Sequence, residues 1–248
     1  MSGITINADL GESIGIHSFG NDEALLDVVD TVNVACGMHA GDPSEMDRVV
    51  RAAARAGVTV GAHPGLPDLV GFGRRRMQLE QDEVRDLVRY QVAALTGFLD
   101  AHDVPLDHIK PHGALFAMTA DDPVLMEAVC DVAAQYGVAV FGLPGSAHET
   151  VAAQRGVAFV AELYVDLDYE DDGRLRVLRR AQPTEPALAE QRVLDAVRGG
   201  VIRTSSGVEL PVRIDSVCVH SDPPNAPEVA RAVARALAQS DPLRTTTG

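Results

Sequence analysis

The chain has 248 residues, 46% of them apolar, and no apolar stretch near the about 20 residues that a bilayer-crossing helix needs. That suits one soluble α/β domain, and without signal-peptide features in the first residues the expected location is the cytoplasm. A formal charge of −15 argues against non-specific binding to nucleic acid or anionic membranes, so an anionic substrate needs local basic groups such as Arg74, Arg75, Arg76 and Lys110.

Short β-branched runs alternate along the chain with segments of helical period. Residues 4–8 read as a strand running into Asn7-Ala8-Asp9-Leu10-Gly11-Glu12, where Asp9 or Glu12 is either a helix cap or a chemical group. Residues 31–35 lead into Cys36-Gly37-Met38-His39-Ala40-Gly41-Asp42. Asp42 caps the next helix, with Pro43 at its first position, Glu45 completing a capping box and Gly57 as the stop. Residues 58–62 end at His63-Pro64-Gly65. The following stretch, 64–77, contains Gly71-Phe72-Gly73-Arg74-Arg75-Arg76 and reads as a long functional loop. A fourth strand, 108–110, ends in Lys110-Pro111-His112-Gly113, and Pro123 then opens a helix that Gly137 closes. Residues 138–142 form a strand before the turn Gly142-Leu143-Pro144-Gly145-Ser146, a weak phosphate-loop candidate. Residues 157–161 lead to a polar end at 162–166, and 201–213 read as a hairpin turning at Ser205-Ser206-Gly207. Residues 216–219 end in His220-Ser221-Asp222, and a last helix starts between Asn225 and Glu228. Seven strands with crossover helices predict a closed parallel β/α barrel over 1–239 with a small hairpin insertion and a disordered tail over 240–248. An open doubly wound sheet is the alternative.

Closure would gather the strand ends around one mouth, where barrel enzymes build their sites. Lys110 is the only lysine among 21 Lys and Arg residues. An ammonium is compact and loses its proton readily on burial, so Lys110 reads as a tunable group, and Lys110→Arg or Lys110→Ala is expected to fold normally while losing activity. His39, His63, His112 and His220 all fall at strand ends with a Gly or Pro within three residues, whereas His17, His102 and His148 read as structural or exposed. Asp9, His39 and His63 are a candidate set for a divalent metal such as zinc, manganese or iron, although no His-Glu-x-x-His spacing is present. Cys36, Cys130 and Cys218 stand far apart without a Cys-x-x-Cys pair and read as free thiols. No Gly-x-x-x-x-Gly-Lys phosphate loop occurs.

The ordered motifs Asn7 to Ser13, Asn33 to Asp42, Gly61 to Gly65, Gly71 to Arg75, Lys110 to Gly113 and Val219 to Asp222 resemble the LamB/YcsF family, the A subunits of bacterial ATP-dependent 5-oxoprolinase. The resemblance implies a seven-stranded β/α barrel of the glycoside hydrolase/deacetylase type. It also implies a hydrolase of a cyclic amide that works with B and C subunits, converting 5-oxoproline, ATP and water to glutamate, ADP and phosphate. On that reading Asp9 or His63 is the general base, Lys110 and His112 stabilise negative charge, and His220 with Asp222 forms an acid/base pair. Asn7, Glu12, His39, Arg74, Glu162 and Asp166 are then the substrate-binding candidates, with ATP as co-substrate. Where the family carries an Arg after the sixth strand, this chain has Leu167. A metal-dependent deacetylase of carbohydrate derivatives and a non-catalytic binding barrel are the competing readings.

Overall fold

The computed structural model describes residues 3–176, 178 and 180–240. In chain order the elements are β1 (Thr5–Leu10), α1 (Asp22–Leu26), β2 (Thr31–Ala35), α2 (Pro43–Ala56), β3 (Thr59–His63), α3 (Gln81–Ala101), β4 (Leu106–Ile109), α4 (Gly113–Asp121) and α5 (Pro123–Tyr136). They continue with β5 (Ala139–Gly142), α6 (Ala147–Arg155), β6 (Phe159–Tyr164), β7 (Asp168–Tyr169), β8 (Leu175–Arg176), α7 (Pro186–Gly199), β9 (Val201–Arg203), β10 (Glu209–Pro211), β11 (Ser216–Val219) and α8 (Ala226–Ser240). Seven parallel strands, in the order β1-β2-β3-β4-β5-β6-β11, close into a barrel where β11 pairs with β1, Cys218 opposite Asn7. The open-sheet alternative is thereby set aside. The expected hairpin is present as β9–β10, and a second one, β7–β8, is too short to leave a sequence pattern. Beyond Ser240 the expected tail lies outside the described residues. Among the described residues no helix is long and apolar enough to cross a membrane.

Alternation along each strand divides the molecule into two chemistries. Ile6, Ala8, Leu10, Val32, Val34, Val60, Ala62, Ile109, Val140, Leu163, Val217 and Val219 join helix residues such as Val49, Val88, Leu95 and Val233 in one core cluster. Many of the intervening residues are polar and make contacts across the barrel. Such barrels ordinarily fill with layers of Val, Ile and Leu. Here Asn7 Nδ2 donates to Ser216 Oγ at 2.8 Å, and Asn33 Nδ2 donates to both Asn7 Oδ1 and Asp9 Oδ1 at 2.8 Å. His108 Nε2 donates in turn to Asn33 Oδ1, while its ring stacks on Phe141 at 3.8 Å. These side chains thus satisfy one another, as buried polar groups must to be tolerated there.

The same alternation moves strand ends, β3 running one residue beyond Ala62 to the buried His63. Polar residues mark stops in a sequence reading, which ends strand one at Ala8 and strand six at Ala161. The structure carries β1 through Asp9 to Leu10 and β6 through Glu162 to Tyr164, because those polar side chains face the barrel interior. At the start of α2, Asp42 accepts from the amides of Ser44 at 2.9 Å and Glu45 at 3.1 Å, as expected, and Gly57 stops the helix with φ +71°. Glu45 does not complete a capping box: its carboxylate is taken by Arg48 at 2.7 Å.

Gly61 on β3 faces the interior beside this polar filling, and a Cβ there would overlap the His108 imidazole. Gly61→Ala should therefore lower stability by about 1–3 kcal/mol, the usual cost of overpacking. A urea unfolding midpoint equal to that of the parent chain would show that His108 is free to move aside.

Candidate functional site

Lys110 follows β4 directly, and its amide still bonds to the Ala62 carbonyl at 2.9 Å, so its side chain enters the barrel in strand register. The residue is 2% exposed. Its ammonium donates to Asp9 Oδ1 at 3.1 Å, Asn7 Oδ1 at 3.3 Å and Cys218 Sγ at 3.0 Å, with Glu162 Oε1 3.2 Å away. Burial opposes the charge, but Asp9, Cys218 and Glu162 overcome it and hold the ammonium well above its ordinary value. The expected tunable lysine is thus corrected: this one is fixed as a cation by the carboxylates that the folding of β1 and β6 brings to it. Burial likewise opposes the Asp9 carboxylate, yet His63, Lys110 and His220 keep Asp9 well below the usual carboxylate range.

The expected partner of His220 is Asp222. The structure gives it Asp166 instead, whose carboxylate takes the His220 amide at 2.7 Å and the ring Nδ1 at 2.9 Å. Asp222 is held by Arg74 at 2.8 Å. The strand end delivers ring and amide of His220 to one carboxylate, while the long loop after β3 carries Arg74 over to Asp222. Burial disfavours the imidazolium, but Asp166 and Asp9 raise its pKa to about 9. At neutral pH His220 is therefore charged.

A second cluster adjoins Asp9. His39 and His112 stack with ring centroids 3.7 Å apart, and His63 meets both edge-on. His63 Nδ1 donates to the Lys110 carbonyl at 2.7 Å, and His112 Nε2 donates to the Phe72 carbonyl at 2.8 Å. Burial and the neighbouring histidines hold His39 and His112 well below the ordinary histidine value, which keeps both neutral. Burial, with Asp9 and Asp222 nearby, pushes Glu12 well above its own. Glu12, His39, His63 and His112 can together hold a metal. The expected set of Asp9, His39 and His63 is corrected by this geometry, since Asp9 lies on the Lys110 side of His63 and falls outside the group.

A cavity of about 370 Å³ opens at the mouth. Asp9, His63, Arg74, Lys110, His112, Asp166, His220 and Asp222 line its polar side, and Phe116, Leu167, Leu175, Leu178, Pro183 and Leu188 its apolar side. Asn7, Glu12, His39 and Glu162 do not reach the wall. They are buried behind the side chains that line it.

Four contributors escape the sequence reading. Asn33, read only as part of a strand, orients Asp9; its inward register beside Asn7 is the available signal. Cys218 is a free thiol as expected, and also an acceptor for Lys110. Tyr164 donates to Glu162 Oε2 at 2.6 Å and lines the cavity. Arg192, far off on α7, reaches the loop after β6, donating to the Val165 and Leu167 carbonyls at 2.9 Å and to Asp168 at 2.7 Å. It brings a guanidinium to the segment where Leu167 replaces the family Arg, and nothing local in sequence announces it. His148, expected to be structural, is buried and bonded to Thr119 at 2.9 Å.

A model of the LamB/YcsF family matches residues 4–246. The chain is 40% identical over 247 residues to a Bacillus licheniformis protein named as the A component of 5-oxoprolinase, with 97% of each chain covered. It is 43% identical over 240 residues to the protein of the same name from Bordetella pertussis, with 94% of each covered. The solved structure of a lactam utilization protein from Thermus thermophilus has a TM-score of 0.88 at 41% identity, covering 96% of this chain and 97% of that one. An Enterococcus faecalis structure at a TM-score of 0.56 and 14% identity shares the fold alone.

Two outcomes follow from the charges. Lys110→Ala leaves Asp9 and Glu162 buried without their cation, so it should cost about 3–5 kcal/mol, which replaces the expectation of near-parental folding; a melting curve matching the parent would contradict the buried pair. For His220 the folded pKa of about 9 lies above an unfolded value of about 6.5, so its contribution is full below about pH 6.5 and is lost as pH rises through 9. The parent chain should lose on the order of 2–3 kcal/mol over that window relative to its stability at pH 6.5, and His220→Gln should show a flatter profile in denaturant titrations.

Proposed function

The chain belongs to the LamB/YcsF family, and from that membership and the charges at its mouth we propose that it is the A component of an ATP-dependent 5-oxoprolinase, opening the lactam of 5-oxo-L-proline to L-glutamate. The observation that supports this most is Asp9, a cavity-facing carboxylate kept ionised by Lys110, His63 and His220. A carboxylate held below its usual range is a weak base. It can direct and deprotonate water only toward an electrophile stronger than an ordinary amide. Transfer of the γ-phosphoryl group of ATP to the lactam oxygen makes such an electrophile. The site residues then take complementary parts. Asp9 accepts the proton as the water oxygen bonds to the ring carbon. Lys110 stabilises charge on the oxygen side, and His220, charged through Asp166, gives its proton to the ring nitrogen as the C–N bond breaks. A second water then hydrolyses the acyl phosphate so formed, which releases phosphate and leaves the side-chain carboxylate of glutamate. Arg74, at the cavity wall, takes the substrate carboxylate, and the leucines opposite take the ring methylenes. ATP is bound by the B and C subunits.

With those subunits co-purified, glutamate should form from 5-oxoproline only when ATP is present. His220→Gln should lower turnover by about 10²- to 10⁴-fold, the usual share of a general acid. Absence of glutamate from the assembled parent complex would remove the substrate assignment, and unchanged turnover in His220→Gln would remove the acid.

A further inference from the structure

The histidine corner of the mouth has more acceptors than donors. His63 and His112 each give a ring N–H to a backbone carbonyl, Lys110 O at 2.7 Å and Phe72 O at 2.8 Å, and a carbonyl can only accept. In the neutral ring of His112 this leaves Nδ1 as a lone pair facing His63 Nε2 at 3.0 Å, and the Asp9 carboxylate stands 3.3 Å from that same His63 nitrogen. Glu12 Oε1 adds a third acceptor, 3.7 Å from His112 Nδ1 and 3.6 Å from His39 Nε2. Neither nitrogen of His39, which is completely buried, has a hydrogen-bond partner among the described residues. One shared proton would relieve the contact between His63 and His112, but it would leave His39 unsatisfied. A cation among the four side chains takes one donor atom from each and leaves only the second nitrogen of His39 without a partner among the described residues.

The spacing agrees. Ligands 2.0–2.1 Å from a tetrahedral ion stand about 3.3–3.4 Å from each other; the His63–His112, His39–Glu12 and His112–Glu12 separations, 3.0, 3.6 and 3.7 Å, bracket that edge, and all four donor atoms lie within 4.8 Å of one another. Metal-bound histidines characteristically donate their other nitrogen to a carbonyl or carboxylate, which fixes the ring. Phe72, whose carbonyl serves His112, sits at φ +54°, an uncommon backbone conformation for a non-glycine residue. Gly65 and Gly73 clear the space, since a Cβ at either would run into His39.

We propose that Glu12, His39, His63 and His112 form a binding site for a single first-row divalent transition-metal ion, with zinc favoured. Three imidazoles and one carboxylate suit that class and not magnesium or calcium, which take oxygen ligands. Asp9 belongs to the lysine cluster and is not a ligand. The site stands on its donor atoms, whether or not the substrate is a lactam.

The test uses the full chain dialysed against chelator and titrated with zinc chloride or magnesium chloride by calorimetry, with thermal unfolding recorded alongside. One equivalent of zinc should bind and raise the melting temperature, while magnesium should not bind. Glu12→Gln and His112→Gln should each weaken zinc binding by at least about 10-fold, and His102→Gln, remote at the end of α3, should leave it unchanged. Should the buried variants fail to fold, nitrogen-15 spectra of the parent chain decide: zinc must shift His63 through Nε2 and His112 through Nδ1. No zinc binding, binding indifferent to the Glu12 and His112 variants, or histidine spectra showing only a shared proton would overturn the site.

Discussion

The ammonium of Lys110 stands 3.1 Å from Asp9 and 3.2 Å from Glu162, inside a barrel that leaves it 2% exposed. An unpaired charge there would be prohibitively costly, and a pair compensates only when its geometry is good and its remaining hydrogen-bonding atoms are satisfied. That constraint reaches outward in steps. Asp9 needs Asn33, Asn33 is fixed by His108, and His108 needs the bare backbone of Gly61. β1, β4, β6 and β11 must all close before Lys110 has its partners, so barrel closure and site assembly are one event. The chain uses Arg for every other Lys or Arg position. A planar guanidinium with five donors could not replace a compact ammonium among these acceptors.

The mouth divides into two halves with different electrostatics. Around Lys110 and His220 the charges are locked: Asp9 ionised, the ammonium and imidazolium protonated. Around His39 and His112 the rings are neutral and crowded with acceptors. Asp9 and His63, 3.3 Å apart, mark the seam between the halves, and both line the cavity. A substrate there meets fixed charge on one side and the histidine cluster on the other, with an apolar wall opposite. Such a layout is pre-organised, so little of it has to reorganise when charge develops during reaction.

The fold is legible because helix punctuation and β-branched runs are local signals. Gly57 and Gly137 end their helices where expected, and β2 and β11 have the expected limits. The barrel interior is less legible. A strand with polar residues on alternate positions looks like a strand that stops, so the sequence shortens β1 and β6 and gives Asn33 no special mark. Candidate residues stand out where they cluster at strand ends with Gly or Pro, but their pairings do not. His220 with Asp166, Arg74 with Asp222 and Arg192 with the loop after β6 join segments far apart in sequence, and closure geometry alone decides them. The charge state of Lys110 is misleading in sequence for the same reason, since burial can be inferred from its neighbours and the compensating carboxylates cannot.

The single lysine makes the central claim directly observable. A chain labelled with nitrogen-15 only in lysine carries one side-chain Nζ, and its resonance reports whether that nitrogen is ammonium or amine. If Asp9 and Glu162 fix the charge, the resonance should remain that of an ammonium as pH is raised beyond the ordinary lysine value of about 10.4, for as long as the chain stays folded. Titration to the amine at or below about 10.4 in the folded chain would contradict the account.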